Sequence, residues 1–287
     1  MTNLAKLLEQ PNAVCGLDAY GVIYNNSGFI SSSRSVVEFC NTHNIPVFLF
    51  TNNTTQTPTE IATNCKQAGY NIPADRVISS GCGCYMLPTI KQQLENATVY
   101  VYGYPSSRFY PETAGATITN NIIDADTVVF AASLNHQNHH TYRLIAKQLD
   151  QGQPLRGFCI NPDHYVQHKQ QLYPVMGYYA RQLEVQCNTQ WTWIGKPFSI
   201  YSELVSQTII NAGYNPKNLV FCDDNPINVQ QLVQDLNCTG VVITNTGVFY
   251  RYKHQVTLPD ILHYLPQCDL QTAPLKWDKL LYNLVNN

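Results

Sequence analysis

The chain has 287 residues, a formal net charge of −2 and only 13% charged side chains, so it carries no basic field suited to nucleic acid or an anionic membrane. That length exceeds one average domain of roughly 100 to 150 residues and points to two domains, or to one with a large insertion. The 44% hydrophobic content is that of a globular protein, and no run approaches the roughly 18 apolar residues of a membrane span.

In chain order, short apolar runs bounded by turn residues predict strands at Ala13–Leu17, Pro46–Phe50, Val99–Tyr102, Thr127–Ala132, Leu155–Ile160, Leu219–Cys222 and Val241–Thr244. Between them, helix-length spacing predicts helices over Ser33–His43, Thr57–Gly69 and Phe198–Gly213, the last two ending on glycine, a favoured helix terminator. Strands alternating with helices read as βαβ units around parallel sheets, an α/β fold. The ten cysteines mostly lie inside such apolar runs, as in Val14-Cys15-Gly16 and Phe221-Cys222. Thiols so placed pack as small hydrophobes in a reducing compartment, and no leader sequence opens the chain, so the expected location is cytoplasmic. Cys82-Gly83-Cys84 lacks C-x-x-C spacing and reads as a helix start, with a metal or redox pair as the alternative.

Four segments carry chemistry. The first strand ends abruptly in Asp18-Ala19-Tyr20-Gly21, which sets a carboxylate at the C-terminal edge of a parallel strand, where α/β folds bind ligands. Taken alone, such an acid reads as a surface residue capping a turn, and it is the segments downstream that raise it. A second strand ends in Thr51-Asn52-Asn53-Thr54. In Trp193-Ile194-Gly195-Lys196-Pro197 a lysine flanked by glycine and proline follows an apolar strand; it is either a positioned cation or a solvated surface charge. Leu219–Cys222 runs into Asp223-Asp224-Asn225-Pro226, paired carboxylates that supply hard oxygen ligands to Mg²⁺ or cap a helix.

In this order the four segments resemble the motifs of the haloacid dehalogenase (HAD) superfamily, and most closely its class IIA branch, the N-acetylglucosamine-phosphate phosphatase-like enzymes. Val77-Ile78-Ser79-Ser80-Gly81 and Asn161-Pro162-Asp163 are similar to that branch's segment entering the cap and to its cap-domain turn. The resemblance spans about the first 250 residues. It implies a Rossmann-like core with a parallel sheet at 1–79 and 190–287, interrupted by an inserted α/β (C2-type) cap at 80–189. It further implies that Asp18 attacks phosphorus to give an aspartyl-phosphate. Thr51 and the backbone of Asn52 would then bind phosphoryl oxygens, and Lys196 would neutralise transition-state charge. Mg²⁺ would lie between Asp18, the carbonyl of Tyr20 and a carboxylate, with Asp224 favoured by the ungapped alignment and Asp223 the fallback. The implied partner is a small phosphorylated metabolite, with a homo-oligomer left open.

Two positions depart from the family's pattern. Tyr20 stands where these phosphatases carry a second Asp as general acid and base. With an ordinary pKa of about 10, tyrosine is a poor base at neutral pH, and a lost acid/base group costs ~10²- to 10⁴-fold in rate. The later acid of the fourth motif is Val229, or Asn228 under a one-residue shift. The expectation is therefore a Mg²⁺-dependent phosphatase, slow on poor leaving groups. The alternatives are a phosphate-binding or regulatory protein on the same fold and a metal-independent 2-haloacid dehalogenase, whose first motif also reads D-A-Y-G.

Four other features read as structural. His136, His139 and His140 are taken as an exposed turn, and His164 and His168 as one face of a solvated helix. Tyr102-Gly103-Tyr104-Pro105 and Phe109-Tyr110 are taken as a satellite core. Trp277, Leu280, Leu281 and Leu284 have the spacing of an amphipathic C-terminal helix.

Overall fold

The computed structural model describes residues 3–132, 139–168, 171–245, 262–265 and 268. They divide into two compact units. The first draws on Met1–Thr51, Pro58–Ile78 and Val205–Asn287, and the second on Asn52–Thr57 and Ser79–Leu204. No helix among the described residues is long and apolar enough to cross a membrane.

The first unit is built on a six-stranded sheet in the order His263–Leu265, Thr239–Ile243, Leu219–Asp223, Val14–Leu17, Val47–Thr51, Val77–Ser79. Val14–Leu17 runs parallel to both neighbours, with Cys15 opposite Val220 and Val47, and Leu17 opposite Cys222 and Leu49. Every residue of Val14–Leu17, Val47–Thr51 and Leu219–Asp223 is buried, which is why these strands read as unbroken apolar runs instead of alternating ones. Helix Ser31–Thr42 turns Ser33, Val36, Val37 and Cys40 inward, the i, i+3, i+4, i+7 spacing of one helical face. Val36, Val37 and Cys40 join Ile61, Ala62 and Cys65 of helix Pro58–Gln67 in a single core with Cys15, Leu17 and Leu49.

Strand order reverses direction beside Val14–Leu17. Val47–Thr51 and Val77–Ser79 extend the sheet to one side, and the strands from Leu219 onward extend it to the other. At such a switch point the crevice outside the strands' carboxyl ends is the place where α/β sheets bind ligands.

The second unit holds a five-stranded sheet, all parallel, in the order Thr192–Trp193, Arg156–Cys159, Thr127–Phe130, Thr98–Tyr102, Thr117–Thr119. Its core gathers Val128, Phe130, Ile145, Ala180, Leu183 and Trp191. Glu184, buried on helix Met176–Cys187, ties that helix to the tryptophan-bearing edge of the sheet. Its Oε1 accepts the Trp191 backbone N–H at 2.7 Å and the Trp193 indole N–H at 2.9 Å, while Oε2 accepts from Arg181 at 2.7 Å.

The α/β expectation holds, and the predicted helices appear as Ser31–Thr42, Pro58–Gln67 and Ser199–Asn211. One expectation is overturned. Tyr165–His168 is a strand paired antiparallel with Gln171–Pro174, not a helix carrying His164 and His168 on one face. The physical reason is the pairing of Val166 with Tyr173, next to Tyr165 opposite Pro174, since β-branched and aromatic residues suit a pleated surface. Cys82 ends one short 3₁₀ turn and Gly83–Met86 forms the next helical turn, as a helix start requires. Tyr102 and Tyr110 are buried as core residues, and Phe109 is partly exposed. His140 is exposed in helix His139–Asp150. His136, the side chains of His139 and His168, and the Leu275–Val285 segment lie outside the described residues.

Candidate functional site

Within the first unit, the two strands at the switch point end in acids. Asp18 follows Leu17 directly, and its backbone N–H donates to the Cys222 carbonyl at 2.8 Å, so the ladder carries it level with Asp223. Asp18, Asp223 and Asp224 are all buried, at 7%, 0% and 3% exposure, and each offers a carboxylate oxygen within 4.8 Å of the others. This is the one grouping of three or more metal-ligating side chains among the described residues.

The backbone around these acids explains the cluster. After Asp18 the chain turns tightly, with Ile23 N–H and Tyr24 N–H both donating to the Ala19 carbonyl at 2.9 and 3.0 Å. Gly21 sits in this turn at φ +83°, a conformation that side-chain-bearing residues rarely adopt. A β-carbon at position 21 would meet the Asp224 carboxyl carbon at 2.5 Å, so glycine is what lets the turn lie against that carboxylate. Tyr20 is half-buried, its ring edge-on to Tyr24 with centroids 6.1 Å apart.

Neither acid of the fourth segment is a helix cap. Asn225 caps helix Pro226–Leu236, its side chain accepting the Ile227 N–H at 3.0 Å. Asp223 instead accepts the Asn225 N–H at 2.7 Å and the Asn228 side-chain amide at 3.3 Å on Oδ1 and 3.2 Å on Oδ2. Both of its oxygens are thus engaged by neutral donors. Asn228, considered from sequence only as a missing acid, is a buried donor that stabilises Asp223.

Thr51, buried at the end of Val47–Thr51, belongs to this first unit, whereas Asn52 and Lys196 belong to the second. In the second unit Asn52 and Lys196 hold each other. The Asn52 side-chain oxygen accepts the Lys196 backbone N–H at 2.8 Å, and its amide donates to the Lys196 carbonyl at 2.9 Å. The same amide donates to Asp163 at 3.0 Å, and the Asn161 amide donates to the Asn52 carbonyl at 2.8 Å. The stretch after Asn52 is secured as well: Ser79 donates to the Asn53 carbonyl at 2.6 Å, Ser107 to that of Thr54 at 2.7 Å and Tyr110 to that of Gln56 at 2.6 Å. These bonds tie residues 52–57 to the second unit. Asn161 and Asp163 gave no signal of a polar role in the sequence beyond their place in a family-like turn.

Three buried carboxylates sharing one small space repel one another, and a divalent cation among them removes that cost. The donor set consists of hard oxygens, the chemistry Mg²⁺ selects. The residues therefore fit the ion.

The family model for haloacid dehalogenase-like hydrolases matches residues 15–117, a span containing the first acid, Tyr20, Thr51 and Asn52. Over that span the chain is similar to the haloacid dehalogenase-like hydrolases. An acid sugar phosphatase of Staphylococcus haemolyticus is 24% identical over 66% of this chain and 69% of the relative. The 5'-nucleotidase YutF of Bacillus subtilis is 26% identical over 65% and 70%, respectively. Among solved structures, 4-nitrophenylphosphatase from Thermotoga maritima superposes with a TM-score of 0.74 at 18% identity, covering 92% of this chain and 97% of that one. At that identity the superposition establishes the fold: a Rossmann-like parallel-sheet core with an α/β cap.

Proposed function

We propose that this chain is a haloacid dehalogenase-like hydrolase, a Mg²⁺-dependent phosphatase that cleaves a small organophosphate through an aspartyl-phosphate on Asp18. The observation that carries the reading is the buried trio of Asp18, Asp223 and Asp224 at the sheet's switch point. Relatives bearing the names sugar phosphatase and nucleotidase support a small phosphorylated metabolite as substrate. We take the catalytic core as 1–79 and 190–287 and the cap as 80–189, acting in the cytoplasm, a setting supported by the predominantly buried thiols.

In this mechanism a carboxylate oxygen of Asp18 forms a bond to phosphorus while the bond to the leaving-group oxygen breaks. Water then cleaves the acyl phosphate, releasing orthophosphate and restoring the carboxylate. The Thr51 hydroxyl and the Asn52 backbone N–H hold phosphoryl oxygens, and the Lys196 ammonium balances their charge. Asp18, the carbonyl of Tyr20 and Asp224 would hold Mg²⁺, with Asp223 as alternative ligand, and the ion's chemistry there is Lewis-acid polarisation of the phosphoryl group. Tyr20, a phenol in place of a carboxyl group, is a weak acid and a poor base, so the leaving group departs largely on its own acidity. Aryl and acyl phosphates suit such a site best.

The test is hydrolysis of p-nitrophenyl phosphate with Mg²⁺ and with EDTA, by wild type and by Asp18→Asn. Mg²⁺-dependent turnover lost in the variant supports the reading, and full activity in Asp18→Asn refutes the covalent step. The half-buried Tyr20 in the place of an acid favours one second reading, a phosphate-binding protein on the same fold. Phosphate binding without turnover in either protein would select it. Turnover of a 2-haloacid in EDTA would select a dehalogenase.

A further inference from the structure

Asn52, proposed above to bind phosphate through its backbone, is held on three sides by residues more than a hundred positions away in the chain. Its side-chain amide and the main chain of Lys196 form a reciprocal pair, at 2.8 and 2.9 Å, that fixes the backbone from which the lysine side chain departs. Its carbonyl accepts from Asn161 at 2.8 Å. The remaining bond runs from its amide nitrogen to Asp163 Oδ1 at 3.0 Å, the one contact of the set that brings a carboxylate.

An Asn side chain has two nearly isosteric orientations. Turned over, Asn52 would set its oxygen against the Asp163 carboxylate and the Lys196 carbonyl, and its NH₂ against the Lys196 N–H. All three contacts would become repulsive. We propose that Asp163 is a positioning residue: its carboxylate selects the orientation of Asn52 that clasps the Lys196 backbone, and so sets the geometry in which Asn52 and Lys196 meet the phosphoryl group. A charge-assisted acceptor is stronger than a neutral one and suits this role. Asp163 itself touches neither substrate nor metal in this scheme.

The kinetic consequence rests on the phosphatase reading, while the structural one does not. The experiment therefore compares wild type, Asp163→Ala and Asp163→Asn by two readouts: p-nitrophenyl phosphate hydrolysis with Mg²⁺, and hydrogen exchange of the Lys196 backbone amide followed by NMR. In Asp163→Ala, kcat/KM is expected to fall about 10- to 100-fold, the scale of a modest misplacement of binding groups, with the Lys196 amide losing protection. Asp163→Asn retains an oxygen that can accept from Asn52, and should recover most of both. Unchanged Lys196 protection in Asp163→Ala overturns the proposal. So does a loss of protection spread equally over the Thr127–Phe130 strand, which marks a purely structural role. An inactive wild type counts against the phosphatase reading alone, and the exchange of the Lys196 amide then decides the positioning claim.

Discussion

Replacing Gly21 by alanine isolates the close approach between the first turn and the fourth-segment acid. The new methyl carbon lies 2.5 Å from the Asp224 carboxyl carbon and 2.6 Å from its Oδ2, well inside van der Waals contact, on a backbone at φ +83°. The left-handed conformation alone costs roughly 1–2 kcal/mol for a residue with a β-carbon. Relief of the overlap moves the carboxylate by about 1 Å, and a misplacement of that size costs on the order of 10²-fold in rate. Gly28→Ala is the control, because Gly28 also has positive φ, +113°, yet a β-carbon there meets nothing within 4 Å. Urea denaturation should show both variants destabilised to a similar degree. Mg²⁺ titrations of p-nitrophenyl phosphate hydrolysis should show only Gly21→Ala with a raised Mg²⁺ requirement and a rate lowered about 10²-fold. Wild-type Mg²⁺ dependence and rate in a folded Gly21→Ala protein would refute the placement of Asp224 in the metal site.

Three further outcomes are expected. Tyr20→Asp should speed hydrolysis of alkyl phosphates by ~10²-fold or more while changing aryl phosphates little, because only the poor leaving group needs a proton; equal effects on both, read from the two kcat/KM values, would count against a missing acid. Glu184→Ala leaves the Trp191 backbone N–H and the Trp193 indole N–H without their acceptor, at about 1–3 kcal/mol for the buried Trp191 donor and less for the half-buried indole, and should lower the denaturation midpoint with loss of the native tryptophan fluorescence signature. Burial lowers the pKa of His263, and burial followed by Arg181 lowers that of His164 against the pull of Asp163. Both imidazoles thus take up protons less readily in the folded protein than in the unfolded chain, which binds more protons as pH drops below about 6.5, and stability present above that pH is lost as pH falls through the folded values. His263→Asn should flatten the fall in urea midpoint between pH 7 and 5.

Much of the fold is legible in the sequence because the sheets are parallel and covered. Val14–Leu17, Val47–Thr51, Thr127–Phe130 and Leu219–Asp223 are buried on both faces, so each is an uninterrupted apolar run that local composition reveals. The acids and polar residues that end those runs are legible for the same reason, since a charge directly after a buried strand has few places to be other than the sheet's edge. Thr117–Thr119, Thr192–Trp193 and His263–Leu265 are two or three residues long, too short for any period, and exist because a longer strand offers them a ladder. Tyr165–His168 is a strand because it meets Gln171–Pro174, a pairing that its own spacing does not announce.

For the site, the sequence by itself determined the residue types and their order: Asp18, Thr51, Lys196, then Asp223 and Asp224. Tertiary structure decided which of them share a space and what holds them there. It set three carboxylates within 4.8 Å, gave Asp223 the Asn228 amide, brought Gly21 against Asp224 and joined Asn52 to Asp163 and Lys196. The physical reason is that a hydrogen bond or a charge pair depends on separations of a few ångströms, and partners separated by more than a hundred residues reach that distance only after the sheets have fixed the ends of their strands.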